Sequence, residues 1–266
     1  MQRPHIHIPY NRLSEHLSFI RENRLNLELY FGGSALDSLT LNAVRDLAGL
    51  LDYGPSLSFH APFMDLSPGA VDSRVREATM DRFRQTIDIA GILRPKAIVF
   101  HSGYEKWRYG LNMELWLENS LLTWQPLNRL AADIGTKIAI ENIFEEEPSN
   151  LKLLMEGMAS DNFGVCFDTG HFNLFAKSPL EVWMDALGPY IVELHLHDNN
   201  GASDQHLPMG EGQFDFTKFF SLLSGRECIH TLEAHTQEHV LQSMRFHAQI
   251  TGNTTGISSD FSGRTP

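Results

Sequence analysis

Ten side chains able to bind a metal or carry a proton stand in short stretches along the chain: His60, His101, Glu141, Asp168, His171, His195, His197, Asp204, His206 and Glu233. Imidazole and carboxylate donors together suit borderline-to-hard divalent ions such as zinc, manganese and iron. Any one of them could be a structural residue satisfied by a local hydrogen bond. Gathered in one place they would be costly to bury unless paired or metallated. Their chemistry therefore depends on an architecture that brings distant positions together.

Short apolar runs precede or contain most of these residues. They are HIHI (5–8), LNLELYF (25–31), SLSFHA (56–61), AIVFHSG (97–103), KIAIEN (137–142), FGVCFD (163–168), IVELHLHD (191–198) and CIHTLEA (228–234). Between them, apolar residues recur at spacings of three and four, which predicts helices near 12–23, 36–52, 71–92, 112–133, 149–159, 179–187, 215–224 and 237–249. Eight strand-then-helix units in a chain of this length predict a closed (β/α)8 barrel over 1–250, with a doubly wound open sheet as the alternative. In such a barrel the downstream strand ends converge on one mouth, where His60, His101, Glu141, Asp168, His195 and Glu233 would meet. The segment 251–266, TGNTTGISSDFSGRTP, is polar and glycine-rich and reads as a C-terminal extension.

Composition narrows the function classes. The 266 residues are 42% apolar and 20% charged, which excludes fibrous, wholly disordered and disulfide-stapled classes. Lys plus Arg is 21 against 33 Asp plus Glu, a formal charge of −12, so a broad phosphate-binding face would need local basic patches. The opening MQRPHIHIPYNRL has no apolar leader, and no stretch reaches the roughly 20 apolar residues of a spanning helix. The expected location is cytoplasmic, without a membrane partner. Strand alternation turns Cys166 into the barrel with Asp168 and turns Cys228 toward the helices, which argues against a disulfide between them. No dinucleotide fingerprint and no phosphate-binding Gly-Lys-Ser/Thr motif occurs. Oligomeric state does not follow from the sequence.

The motifs SFHAPFMDLSP (58–68), IAIENIFEE (138–146), GVCFDTGHFNLFA (164–176), VELHLHDNNGASDQHLPMGEGQFDF (192–216) and TLEAH (231–235) come in an order that resembles the xylose-isomerase-like barrel superfamily. That superfamily includes sugar isomerases and epimerases and endonuclease IV-type enzymes. The resemblance implies that Glu141, Asp168, His195 and Glu233 form a four-ligand metal site. It implies that His60 and His101, with a bridging Glu141, could hold a second ion, and that His171, Asp204 and His206 could hold a third. One to three divalent ions are thus permitted, with zinc or manganese expected.

Two reactions fit this resemblance. The first is isomerisation or epimerisation of a small sugar or polyol-like carbonyl substrate. There Glu141 and Glu233 would lie close to a substrate carbon, Glu147 (or its neighbours Glu145 and Glu146) would carry a proton, and His171 would donate to a substrate oxygen. His171 has a competing task as a metal ligand. Gly201 stands where some ketose epimerases carry an arginine. The second reaction is cleavage of apurinic or apyrimidinic DNA. Against it, FGGSALDSLT (31–40) and NNGASD (199–204) lack basic residues, EEE (145–147) repels phosphate, and Lys106, Arg108 and Lys177 are scattered. Tyr104, Trp107 and Tyr109 could stack on a flipped base but equally suit packing. A noncatalytic metal-binding barrel is a third reading. Around the mouth, Gly210 and Gly212 are expected to allow a tight loop, Asp198 to orient His195 or His197, and Glu193 to face inward, supporting the metal shell or pairing with an inward Lys137. Trp107, Trp124 and Trp183 are expected in packing or surface roles.

Overall fold

The computed structural model describes residues 3–223 and 225–252. Eight strands pair in chain order, all parallel, and close into a barrel. They are β1 (His5–Pro9), β2 (Asn26–Tyr30), β3 (Leu57–His60), β4 (Ala97–His101), β5 (Lys137–Glu141), β6 (Phe163–Asp168), β7 (Ile191–Leu196) and β8 (Ile229–Leu232). Closure is made by β1 against β8, with His5 opposite Thr231 and Ile6 opposite Leu232.

Side chains alternate along each strand, so one set faces the helices and the other the barrel axis. The outward set is apolar and fully buried: Leu27, Leu29, Phe59, Ile98, Phe100, Ile138, Ile140, Val165, Phe167, Leu194 and Leu196 all pack into the main core. The inward set divides by sector. Val99, Ala139 and Cys166 make a small apolar plug on the β4–β6 side. On the β7–β3 side the inward residues are polar and buried, including His5, Glu28, Ser58, Glu193 and Thr231. Cys166 thus lies inside the barrel and the half-buried Cys228 packs against the helix layer, both as free thiols.

The helices follow the predicted units with local differences. The first unit is a tight three-residue-per-turn segment (Tyr10–His16) running into a short α1 (Leu17–Glu22). The predicted helix at 36–52 is two helices, α2 (Gly33–Ser38) and α3 (Leu41–Leu50). Leu39 is extended between them, and the Thr40 hydroxyl accepts from the Ala43 amide at 3.2 Å to start α3. Next come α4 (Ser73–Leu93), α5 (Met113–Asp133) and α6 (Ser149–Met158). An additional helix, α7 (Thr169–Phe175), springs directly from the end of β6 because Asp168 caps it, accepting from the His171 amide at 2.7 Å. The last three are α8 (Leu180–Leu187), α9 (Phe216–Leu223) and α10 (Gln237–Thr251). Of the predicted extension 251–266, Thr251 ends α10 and 253–266 lie outside the described residues. Lys137 shares the register of Ala139 and Glu141 but is exposed at the start of β5, and no ion pair between it and Glu193 occurs among the described residues. Trp124 and Trp183 are fully buried packing residues, and Trp107 is exposed. No helix among the described residues is long and apolar enough to cross a membrane.

Candidate metal centre

Strand register sets the site. In β4–β5 pairing His101 lies opposite Glu141, and in β6–β7 pairing Asp168 lies opposite His195. With Glu233 just beyond β8, four predicted ligands from four strand ends meet at the barrel mouth, each almost wholly buried. His195 Nδ1 stands 3.2 Å from Glu233 Oε1, 3.4 Å from Glu141 Oε1 and 3.7 Å from Asp168 Oδ2. It is buried and has no hydrogen-bond partner among the described residues. Three carboxylates around one unpartnered imidazole nitrogen fit a divalent cation, which would neutralise the acids and take the nitrogen lone pair. The two glutamates are held toward the ionised form. Burial alone would raise the Glu141 carboxyl, but His195 and His101 hold it well below its ordinary range. Burial likewise opposes ionisation of Glu233, yet His195, His7, His206 and His197 bring it down to about 2.

Glu141 faces two clusters at once. Its Oε1 belongs to the core just described, while its Oε2 lies 3.2 Å from both His60 Nε2 and His101 Nε2. His60 is held in this pose by its other nitrogen, which lies 2.8 Å from the Ala61 carbonyl and donates to it. The predicted bridging carboxylate and histidine pair are therefore brought together.

The third set is assembled on the loop after β7. His206 Nε2 is 3.1 Å from Asp204 Oδ2, its Nδ1 is 3.3 Å from Glu233 Oε2, and its backbone is left-handed, with φ 47°. His171 spans two clusters with different nitrogens: Nδ1 is 3.1 Å from Glu141 Oε1, and Nε2 is 3.6 Å from Asp204 Oδ2. His197 also belongs here, with Nε2 3.1 Å from both Asp168 oxygens and its ring stacked on His206 at 4.0 Å. Burial disfavours a charge on His206, but Asp204 and Glu233 raise its pKa to about 9. Burial likewise opposes the ionised Asp204, yet His171 and His206 hold its carboxyl well below the usual range.

Several predicted roles move to other residues. Asp198 does not reach the metal ligands. It anchors the loop instead, accepting from the amides of Gly210, Gly212 and Phe214 at 3.2, 2.9 and 3.1 Å. Gly210 adopts φ 83°, and a side chain at Gly212 would collide with Asp198, so both glycines are required by the loop as expected. Glu193 faces inward but accepts from Ser58 and Thr231, not from Lys137. In the EEE segment, Glu145 is buried and accepts from Ser102, the Ile143 amide and Asn150, and Glu146 pairs with Lys106 and Lys177 at 2.7 Å each. Glu147 is exposed, accepts from Ser149, and does not line the cavity.

Glu28 and His7 escape the sequence reading. Glu28 is completely buried, with Oε2 3.0 Å from His195 Nε2 and Oε1 2.7 Å from His7 Nδ1. The signal is present in LNLELYF: Leu27 and Leu29 are outward core residues, so Glu28 must point at the axis, where an acid needs a partner.

Above the ligands lies a cavity of about 680 Å³, walled by aromatic residues including Tyr30, Phe63, Tyr104, Phe144 and Phe175, with Arg12 and Arg108 at its edge. A family model described as a xylose isomerase-like TIM barrel matches residues 27–250. The uncharacterized protein MJ1311 of Methanocaldococcus jannaschii is 33% identical over 179 residues, 64% of this chain and 61% of its own. The match therefore spans about three fifths of that relative's length. MJ1614 of the same organism is 28% identical over 216 residues, 78% of this chain and 80% of its own. Among solved structures, a D-tagatose 3-epimerase-like protein superposes with a TM-score of 0.80 at 26% identity, over 93% of this chain and 97% of its own. The TTHB071 protein of Thermus thermophilus, from a crystal soaked with ZnCl2, superposes with a TM-score of 0.78 at 25% identity, over 99% and 100%.

Proposed function

The chain belongs to the xylose isomerase-like TIM-barrel family, and on that premise we propose that it is a metal-dependent enzyme that isomerises or epimerises a small sugar or polyol-like carbonyl substrate. The observation that carries the metal requirement is the buried His195 Nδ1, unpartnered among Glu141, Asp168 and Glu233. Similarity to a D-tagatose 3-epimerase-like protein over nearly the whole chain supports the sugar class. Gly201 in place of an arginine argues for a substrate different from that of the ketose epimerases that carry one.

A zinc or manganese ion held by Glu141, Asp168, His195 and Glu233 would supply polarisation of the substrate carbonyl and ease loss of a proton from the adjoining carbon. Glu141 and Glu233, held toward the ionised form by the surrounding histidines, can accept the proton from that carbon, and rearrangement follows when a proton is returned to its opposite face or to the neighbouring carbon. His171 Nε2 and Asp204 face the same space and can orient a substrate hydroxyl. Aromatic walls suit the apolar faces of a sugar ring and keep bulk water from the exchanging proton. Glu147 can share in proton transfer only after its exposed loop folds over the cavity.

The second reading, cleavage of abasic DNA, draws on one observation: the His60–His101 pair on the second oxygen of Glu141 fits a further ion beside the first. The rim argues against it. Lys106 and Lys177 are both engaged by Glu146, and at the cavity edge Arg12 pairs with Glu15 and Arg108 lies 3.9 Å from Glu105, so each rim cation already faces an acid that repels phosphate. The test is metal removal, reloading with zinc or manganese, and product analysis on a panel of ketoses, aldoses and polyols alongside abasic-site DNA. Metal-restored carbonyl rearrangement is expected. Single-turnover DNA cleavage without any rearrangement would select the second reading.

A further inference from the structure

Glu28 lies a strand pair away from the metal ligands, yet the site is organised around it. It is fully buried on the inward face of β2 and shares the barrel interior with Glu141, Glu193 and Glu233. Its two oxygens do different things. Oε2 is 3.0 Å from His195 Nε2, the nitrogen opposite the one that faces the metal position. Oε1 is 2.7 Å from His7 Nδ1, and the same His7 nitrogen is 3.4 Å from Glu233 Oε1. His7 is a lining residue of the cavity, about a quarter exposed, with its ring stacked at 6.0 Å on Tyr30. Among the described residues, its hydrogen bonds and ion pairs are made through Nδ1 and leave Nε2 to the cavity.

An ionised carboxylate can only accept hydrogen bonds. Each oxygen of the Glu28 carboxylate lies within hydrogen-bond distance of one imidazole nitrogen, His195 Nε2 at 3.0 Å and His7 Nδ1 at 2.7 Å. Both facing nitrogens must then carry their hydrogens. In a neutral ring that leaves the lone pair on the far nitrogen: Nδ1 of His195, aimed at the three carboxylates, and Nε2 of His7, aimed away from Glu28. Resting on the metal-centre reading above, we propose that Glu28 is a shared positioning residue, which with one oxygen fixes His195 as a metal ligand and with the other fixes His7 as a hydrogen-bond acceptor for a substrate hydroxyl in the cavity. The β2 carboxylate thereby sets metal ligation and substrate orientation together, which explains why an acid is tolerated in a strand whose outward neighbours are Leu27 and Leu29.

The test uses the full chain and zinc alone as the probe. Zinc affinity is measured by chelator competition for the native protein, Glu28→Gln and His7→Gln. Side-chain 15N spectra of the zinc-loaded native protein at pH 8 report which nitrogen of each histidine carries hydrogen. A glutamine at 28 keeps the volume but presents an NH2 group to one of the two imidazoles. Loss of such an outer carboxylate should weaken zinc about 10- to 100-fold. His7→Gln should weaken zinc less than Glu28→Gln does, because Glu28 and not His7 holds the far nitrogen of His195. The native spectra should show His7 with hydrogen on Nδ1 only and His195 with hydrogen on Nε2 only. A Glu28→Gln protein with native zinc affinity, a His7 ring with its hydrogen on Nε2, or a His7→Gln variant as weak as Glu28→Gln would each overturn the proposal. The spectra need no variant, so they decide the matter even if Glu28→Gln does not fold. A native protein that takes up no zinc overturns the metal-centre reading and this inference together, whereas a zinc-loaded protein inert toward sugars touches only the choice of substrate.

Discussion

Proton competition at His206 gives the outer cluster a steep and calculable pH dependence. The ring lies 3.1 Å from Asp204 and 3.3 Å from Glu233, and these carboxylates outweigh burial to raise its pKa to about 9. At pH 7 about 99 in 100 rings would be protonated, so a metal must displace that proton, which lowers apparent affinity about 100-fold, or roughly 2.7 kcal/mol. Zinc affinity of the His171–Asp204–His206 cluster should therefore climb at least about tenfold per pH unit from pH 7 to pH 9, with one proton from His206 and a further contribution from His171, whose pKa burial lowers but Asp168, Asp204 and Glu141 raise more strongly. The metal-free protein should behave oppositely. A histidine whose pKa is raised on folding contributes stability that is complete below about 6.5 and is lost as pH rises through about 9. Unfolding of the metal-free protein in urea should show that decline, up to about 3 kcal/mol. The assays are zinc competition with a chelator of known pH dependence, and proton release on zinc addition in weak buffer. Zinc affinity for this cluster that stays flat from pH 7 to 9, with no protons released, would refute the reasoning.

Three further outcomes follow from separate parts of the molecule. Glu141→Ala removes the one residue whose two oxygens serve both the His195 core and the His60–His101 pair, so both ions should weaken at least about tenfold while the fold persists; equilibrium dialysis with elemental analysis checks it, and unchanged stoichiometry and affinity would reject the bridging role. His230 and His247 touch at 2.8 Å in the helix layer, and burial lowers their pKa values to about 4 and about 3, so their stabilising contribution is present above pH 6.5 and lost as pH falls toward 4. His247→Gln should reduce the stability lost between pH 7 and pH 5 by about 2 kcal/mol, as read from urea midpoints at each pH. Gly212→Ala pushes a methyl group against Asp198 and should loosen the loop that carries Asp204 and His206, destabilising by about 1–3 kcal/mol and weakening the outer ion more than the core ion.

The barrel is legible because each strand announces itself as an apolar run and each helix as a recurring stripe. Strand alternation places His101, Glu141, Asp168 and His195 on one inward face, and the resemblance of DTGH, HLHD and DQH to the metal-binding barrels supplies their grouping. Capping is harder to read. Asp168 starts α7 with the carboxylate that also faces the ligands, so DTGHFNLFA carries a helix too short to show a stripe. Asp198 and Glu145 look like mouth chemistry by proximity in sequence. In space their oxygens are spent on loop amides, and only three-dimensional hydrogen bonding reveals that. Glu28 escapes notice because a single acid inside LNLELYF is inconspicuous beside histidine-rich motifs, although its position between Leu27 and Leu29 requires it to be buried and paired.

Anomalous diffraction from zinc-loaded crystals tests the metal centre most directly. The account predicts a peak enclosed by Glu141, Asp168, His195 and Glu233, with the His195 contact made through Nδ1 at about 2.0–2.1 Å and Nε2 still on Glu28. A fully loaded crystal whose only ions lie elsewhere, with His195 Nδ1 bonded to a protein group, would contradict it.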